Sequence, residues 1–289
     1  MITAKLQALL DLGRVSNLPS VVTNVVAAWV LAGGGFGFGL LPVLVGGVLL
    51  YLAGTTLNDA VDEKFDREYR QERPIPSGAV SLGEVWGIGG SYLLGGMLIL
   101  LLLTDAWLPW VLALAAAILL YDFVHKRWKG AVFVMGSCRW FLYLVAASAA
   151  VGGLGAQPGV LIWATALFLY IVGLTFVARG ESTGGGVQTQ AVVFLAAPAI
   201  AGIASLIWTG GNIVLSICLL AFIAWVGICL WRLKRGEGAG RIGKFVASLL
   251  AGIPLIDALA VSASAPLLGI GLLLAVPVSL VLQRLVAAT

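Results

Sequence analysis

A chain of 289 residues that is 61% apolar and only 10% charged, with a mean hydropathy of +1.06, excludes an ordinary soluble domain, in which about a quarter of residues are charged. It reads as a polytopic membrane protein with the bilayer as its main solvent. The formal net charge of +4 does not imply a nucleic-acid partner. The Lys and Arg residues lie in loops beside apolar runs, where positive-inside bias and anionic lipid headgroups place them.

In chain order, Lys5, Asp11 and Arg14 interrupt the first residues, which therefore do not read as a cleavable signal peptide. A span needs roughly 20 apolar residues. Ten stretches qualify: 18–33, 40–57, 83–103, 107–123, 132–151, 159–177, 189–208, 212–231, 245–262 and 266–282. The ninth contains Pro254 and Asp257 and reads as a broken or interfacial helix, so the expectation is an all-α bundle of about nine spans with a tenth left open. The pattern Ser81-Leu82-Gly83-Glu84 is a capping box that marks the start of the third span. The loops at 58–81, 124–131, 179–187 and 232–244 hold nearly all remaining Lys and Arg, and the intervening loops hold none. This places the charged loops and the N-terminus on the cytoplasmic side. Cys138, Cys218 and Cys229 lie in apolar runs without C-x-x-C spacing, and His125 is the only histidine, which argues against a disulfide framework or a structural zinc site.

A third of the charged residues fall within 59–73. On a helix, Asn58, Asp62 and Asp66 stand at i, i+4 and i+8, with Asp59 three residues before Asp62. Four oxygen-bearing side chains then lie near one face. Carboxylates with an amide oxygen suit Mg²⁺, which keeps several waters and is completed by substrate phosphates. The alternative is a solvated, salt-bridged helix end at the membrane surface.

Further polar residues mark the same end. Tyr121, Asp122, His125, Lys126, Arg127 and Lys129 close the fourth span, as a wall for an anionic group or as an interfacial anchor. Arg139 lies within the fifth span, where an ionisable group is a functional candidate by default. Its structural alternative is a pair with Asp122 or Glu181. Arg179 and Glu181 precede Gly184-Gly185-Gly186 after the sixth span, a loop whose backbone N–H groups could meet an anion. Asn24 in the first span either contacts a substrate or hydrogen-bonds a neighbouring helix.

The motif Asn58-Asp59-x-x-Asp62-x-x-x-Asp66 with Arg73-Pro74-Ile75-Pro76-Ser77-Gly78 resembles the first aspartate motif and trailing Arg-Pro segment of the UbiA-type intramembrane prenyltransferases. The resemblance extends to span count, orientation and Tyr121 with Lys126, although the family spacing is Tyr-x-x-x-Lys. It implies a single domain over 1–289, with a central cavity under cytoplasmic cap loops 58–81 and 179–187. It also implies Mg²⁺-dependent transfer of a prenyl group from an isoprenoid diphosphate to a small acceptor, aromatic or lipid-like. By position, Asn58, Asp62 and Asp66 would hold Mg²⁺ with Asp59 supporting, and Arg73 and Lys126 would neutralise phosphate. The family's second aspartate motif reads here as Ala178-Arg179-Gly180-Glu181, leaving Glu181 as its one carboxylate and Arg179 or Arg139 as a fixed positive charge in place of a second metal. With Tyr121-Asp122…His125-Lys126 and Met135-Gly136-x-Cys138-Arg139, this form is similar to the divergent branch encoded in bacterial and algal ebo clusters. The implied setting is a bacterial inner membrane, with the active-site face cytoplasmic and lipids as neighbours. The second functional reading is a catalytically altered relative that binds or transports a metabolite precursor.

Overall fold

The computed structural model describes residues 4–182, 189–235 and 240–288. Helix α1 is Ala4–Leu12. A 3-10 turn, Val15–Asn17, leads into α2 (Leu18–Leu31), followed by α3 (Leu40–Val61) and the short α4 (Glu63–Tyr69). Then come α5 (Leu82–Leu103), α6 (Leu108–Val124), α7 (Ala131–Val151) and α8 (Pro158–Ser182). The last part comprises α9 (Thr189–Leu195), α10 (Ala197–Thr209), α11 (Ile213–Arg235), α12 (Arg241–Ala251), α13 (Ile253–Val261), α14 (Pro266–Leu273) and α15 (Ala275–Leu282). The described residues are all-helical apart from turns and connections.

Seven helical segments are long and apolar enough to cross a membrane by length and composition, and three shorter apolar ones accompany them: Val15–Leu31, Leu108–Val124 and Pro266–Leu282. Together they fall on the ten stretches read from the sequence. Three of those stretches are broken where a proline interrupts the helical hydrogen-bond ladder. The breaks are at Ala196 before Pro198, at Gly252 before Pro254, and at Leu274 before Pro277. The ninth stretch is accordingly broken, but it is not interfacial. Within Arg241–Val261, 78% of the apolar window is buried against 22% for Leu82–Leu103, and every residue of α13 is buried. Asp257 can sit there because it is hydrogen-bonded on both oxygens.

Helices α2, α7, α8 and α13 form the centre, and α5, α10 and α11 turn large apolar side chains such as Leu102, Ile207 and Leu220 outward, as lipid-facing helices do. Helices α3 and α5 approach closely through Gly46 and Gly96. A Cβ on Gly96 would stand 3.0 Å from the Gly46 carbonyl oxygen, and one on Gly46 would stand 2.5 Å from Leu100 Cγ. This is the small-residue packing expected between helices in lipid.

The capping box is present: Ser81 Oγ accepts from the Glu84 N–H, and the Glu84 carboxylate accepts from the Ser81 N–H. It fixes the exit from segment 58–81, whose Ile75 and Val80 are buried with Ala8 and Leu12 of α1 and Ala60 of α3. An apolar floor thus holds the charged segment over one end of the bundle, beside the ends of α6 and α8.

Candidate functional site

A cavity of about 360 Å³ runs into the bundle between α3, α6, α7 and α8. Its inner walls are apolar, with Leu50, Ile118, Leu142, Ile171 and Leu174 among them. Its outer end carries Arg14, Arg70 and Arg73 and opens into a polar vestibule of about 540 Å³ that shares these three arginines.

The aspartate motif lies beside this outer end: Asn58 lines the cavity, Asp59 is paired with the lining Arg14 and Arg73, and Asp62 and Asp66 stand behind the lining. Asp62 closes α3 and opens α4, and the hydrogen bonds from Asp62 N to Asn58 O and from Asp66 N to Asp62 O carry the helical spacing through the junction. Asp62 receives His125 Nε2 at 3.3 Å and Lys126 Nζ at 2.8 Å. Burial opposes its ionisation, yet the hydrogen bonds and charges of His125 and Lys126 together hold its carboxyl below the usual range. Asp66 is buried, and that burial raises its carboxyl above the usual range against the pull of Arg73. Asp59 turns away from these two. Its Oδ1 accepts from Arg14 Nη2 at 3.1 Å and from Arg73 Nη1 at 3.4 Å. Burial, with Arg14 beside it, lowers the Arg73 pKa.

Arg14 reaches this position through backbone strain. With φ of 42° it occupies the left-handed region, which a long side chain rarely adopts. The turn it creates caps the 3-10 segment and directs the guanidinium to Asp59 and Asn58. No sequence signal marked this, because left-handed backbone is usually announced by glycine.

Tyr121 lines the cavity and stacks on His125, with ring centroids 5.1 Å apart. The Tyr121 + 4 position is therefore held by His125. Lys126, one residue on, still reaches Asp62, with its ammonium 3.7 Å from the Phe65 ring centroid. Arg139 lines the deeper cavity, 5.4 Å from the Tyr51 ring, and donates to Asn24 Oδ1 at 2.7 Å and Ser20 Oγ at 3.1 Å. Among the described residues it is not paired with Asp122. Asn24, expected in the cavity, is fully buried behind it and passes a hydrogen bond of 2.7 Å to Asp257. Thr23 and Tyr143 also donate to Asp257. An amide thus bridges a buried carboxylate to the cavity's inner arginine.

Arg179, expected on a diphosphate, donates instead to the carbonyls of Lys129 (2.8 Å) and His125 and secures the turn after α6. The Glu181 side chain and Gly184 to Gly186 lie outside the described residues.

The donor chemistry fits Mg²⁺. Asn58, Asp62 and Asp66 offer hard oxygen ligands at one helical spacing. Among the described residues no three His, Cys, Asp or Glu side chains are gathered closely enough to hold an ion alone. Mg²⁺ characteristically takes one or two protein carboxylates and draws its other ligands from water and substrate phosphate.

Residues 20–251 match the UbiA prenyltransferase family. A relative from Paracidovorax citrulli (strain AAC00-1), named 4-hydroxybenzoate octaprenyltransferase, is 30% identical over 57% of this chain and 58% of its own. A relative of the same name from Methylibium petroleiphilum is 44% identical over 22% of each chain. The chain therefore spans little more than half the length of the first of these. The apo structure of a UbiA homologue from Aeropyrum pernix K1 shares the fold with a TM-score of 0.67 at 20% identity, over 84% of this chain and 95% of that one. A UbiA homologue from Archaeoglobus fulgidus bound to GPP and Mg²⁺ does so with a TM-score of 0.58 at 15% identity, over 92% and 99%. The chain belongs to the UbiA prenyltransferase family.

Proposed function

We propose that this protein is a Mg²⁺-dependent intramembrane prenyltransferase, moving an isoprenoid from its diphosphate to a small acceptor of aromatic or lipid-like character. The observation that carries the reading is the two-ended cavity. A basic outer end with an aspartate motif suits a metal diphosphate, and an apolar interior suits a hydrocarbon tail. A UbiA homologue with bound GPP and Mg²⁺ and the 4-hydroxybenzoate octaprenyltransferase relatives support the same class of donor and an aromatic acceptor. The charged loops favour a cytoplasmic open end, and the ebo-type resemblance favours a bacterial inner membrane.

Asn58, Asp62 and Asp66 would hold the metal, which would stabilise negative charge on the departing diphosphate. Arg14 and Arg73, positioned by Asp59, donate to phosphate oxygens at the vestibule. Lys126 and His125, which contact the Asp62 carboxylate, are placed to meet the substrate's negative charge. Leaving-group charge is thus met by groups already in place. Tyr51, Tyr121 and the aliphatic walls exclude water from the allylic carbon and lie where a delocalised cation gains from aromatic faces. Arg139, fixed by Asn24 and Asp257, supplies positive charge deeper in the cavity, where an acidic acceptor would be oriented.

The test is diphosphate release from geranyl diphosphate by purified protein, with 4-hydroxybenzoate as first acceptor, in Mg²⁺ and in EDTA, beside Asp62→Ala. Metal-dependent release with a prenylated product supports transfer. Retention of ligand without release supports the binding or transport reading.

A further inference from the structure

Asp122, on the last turn of α6, is 3% exposed and lines the cavity. Its Oδ1 accepts from Asn58 Nδ2 at 3.2 Å. Its Oδ2 is buried and has no hydrogen-bond partner among the described residues. Arg14 lines the same cavity, and its Nε is likewise buried without an acceptor, although its Nη2 serves Asp59 and Asn58. Two residues that line one cavity thus each carry a buried polar atom without a partner, one an acceptor and the other a donor.

Leaving a buried polar atom unpaired costs about 1–3 kcal/mol, and more when it is charged. Such atoms are rare in native proteins and call for an ion, a water or a catalytic role. The cations that follow α6 are engaged elsewhere. Lys126 and His125 contact Asp62, and the other His125 nitrogen faces the Asp122 backbone carbonyl, not its carboxylate. Cys138 also lines the cavity, but its Sγ bonds the Val134 carbonyl, so no soft ligand accompanies Asp122. The oxygen donors here, the Asp122 carboxylate and the Asn58 amide, suit a hard divalent cation, and Arg14, Arg70, Arg73 and Arg139 on the same lining suit a diphosphate that accompanies it. A metal diphosphate presents a cation to the unpaired carboxylate oxygen and phosphate oxygens to the unpaired Nε–H. It satisfies both orphans together, which neither a free metal nor a free anion does.

We infer that Asp122 is a further metal ligand, with Oδ2 binding a divalent cation that enters the cavity with the isoprenoid diphosphate. This rests on the diphosphate reading above. The Asn58 amide holds Oδ1 and so fixes the carboxylate with its second oxygen free. Asn58 then serves the metal site twice, as a ligand and as the group that orients another ligand.

The experiment is a Mn²⁺ titration followed by electron paramagnetic resonance, with the unreactive analogue geranyl S-thiolodiphosphate, on wild type, Asp122→Asn, Asp122→Glu and Asp62→Ala. Asp122→Asn keeps an acceptor for Asn58 and loses only the anionic oxygen. The inference expects its Mn²⁺ affinity in the presence of analogue to fall about tenfold or more, since even indirect partners of a metal are worth that much. Asp122→Glu should recover part of the loss. Without metal, Asp122→Asn should melt at or above wild type, because an unpaired buried charge is gone, whereas a structural carboxylate would lower the melting temperature when removed. Wild-type Mn²⁺ affinity in Asp122→Asn, with loss in Asp62→Ala, overturns the Asp122 assignment and leaves the diphosphate reading standing. Failure of wild type to bind Mn²⁺ with the analogue overturns both.

Discussion

Lys126 Nζ lies 2.8 Å from Asp62 Oδ1, on the carboxylate that the helical spacing sets between Asn58 and Asp66. The ammonium therefore occupies the centre of the proposed metal site and competes with a metal for it. Lys126→Ala should bind Mn²⁺ alone more tightly than wild type, yet bind geranyl diphosphate with Mn²⁺ at least about tenfold more weakly. The second effect follows from losing one charge-assisted hydrogen bond, about 1.5–3 kcal/mol. Two titrations on the same variant, moving in opposite directions, check this. Weakening in both would mean Lys126 holds the fold and not the ligand.

Asp59 bridges Arg14 and Arg73 and is itself almost fully buried. Its removal leaves two partly buried guanidinium groups without their shared anion, which costs less than the about 3–5 kcal/mol of a fully buried pair because both arginines keep some exposure. Asp59→Ala should lower the melting temperature in detergent and raise the Kd for geranyl diphosphate, while leaving Mn²⁺ binding in the absence of diphosphate unchanged. Thermal melts and the two titrations separate these effects.

Asp66 is buried, and burial favours its neutral form. A folded-state pKa above the usual value means the ionised group opposes folding once the pH exceeds it, so an uncharged isostere removes a penalty. Asp66→Asn should melt at or above wild type at neutral pH without metal. It should also lose the Mg²⁺-dependent part of diphosphate binding. A lower melting point would contradict the assignment of Asp66 to metal over packing.

Arg179 secures the turn that carries His125 and Lys126. It acts on the site through them, so Arg179→Ala should weaken diphosphate binding less than Lys126→Ala. The double variant should fall short of the sum, as coupled neighbours do. Full additivity in the double-mutant cycle would place Arg179 on the ligand directly.

Asp257 accepts hydrogen bonds from Thr23, Asn24 and Tyr143, all buried. Asp257→Ala strands three donors, each at about 1–3 kcal/mol, and should reduce the melting temperature more than Asn24→Ala does. A small or reversed difference between the two melts would contradict this account of the network.

These residues show how far the sequence reached. The apolar stretches were legible because bilayer thickness sets their length, and the aspartate motif because helical periodicity puts Asn58, Asp62 and Asp66 on one face. The breaks inside 189–208 and 266–282 carry the same signal as the ninth stretch, Pro198 and Pro277, but without an accompanying charge each run reads by its length as one span. Choice of partner was not legible. Asp59 and Asp62 are three residues apart, yet one turns to the arginines and the other to Lys126 and His125, because long cationic side chains from other helices decide it. Asp257 looked like a sign of an interfacial helix, since the donors that make its burial tolerable come from α2 and α7. Arg14 and Asp122 gain their meaning only where the chain brings them to opposite ends of Asn58.

The central claim is that the outer end of the cavity binds an isoprenoid diphosphate through Mg²⁺ and the Asp62 carboxylate. Calorimetric titration of geranyl diphosphate into purified protein, with Mg²⁺ and with EDTA, beside Asp62→Ala, tests it most directly. The account predicts binding that requires Mg²⁺ and disappears in a folded Asp62→Ala protein. Equal affinity with and without Mg²⁺, or undiminished binding by Asp62→Ala, would contradict it.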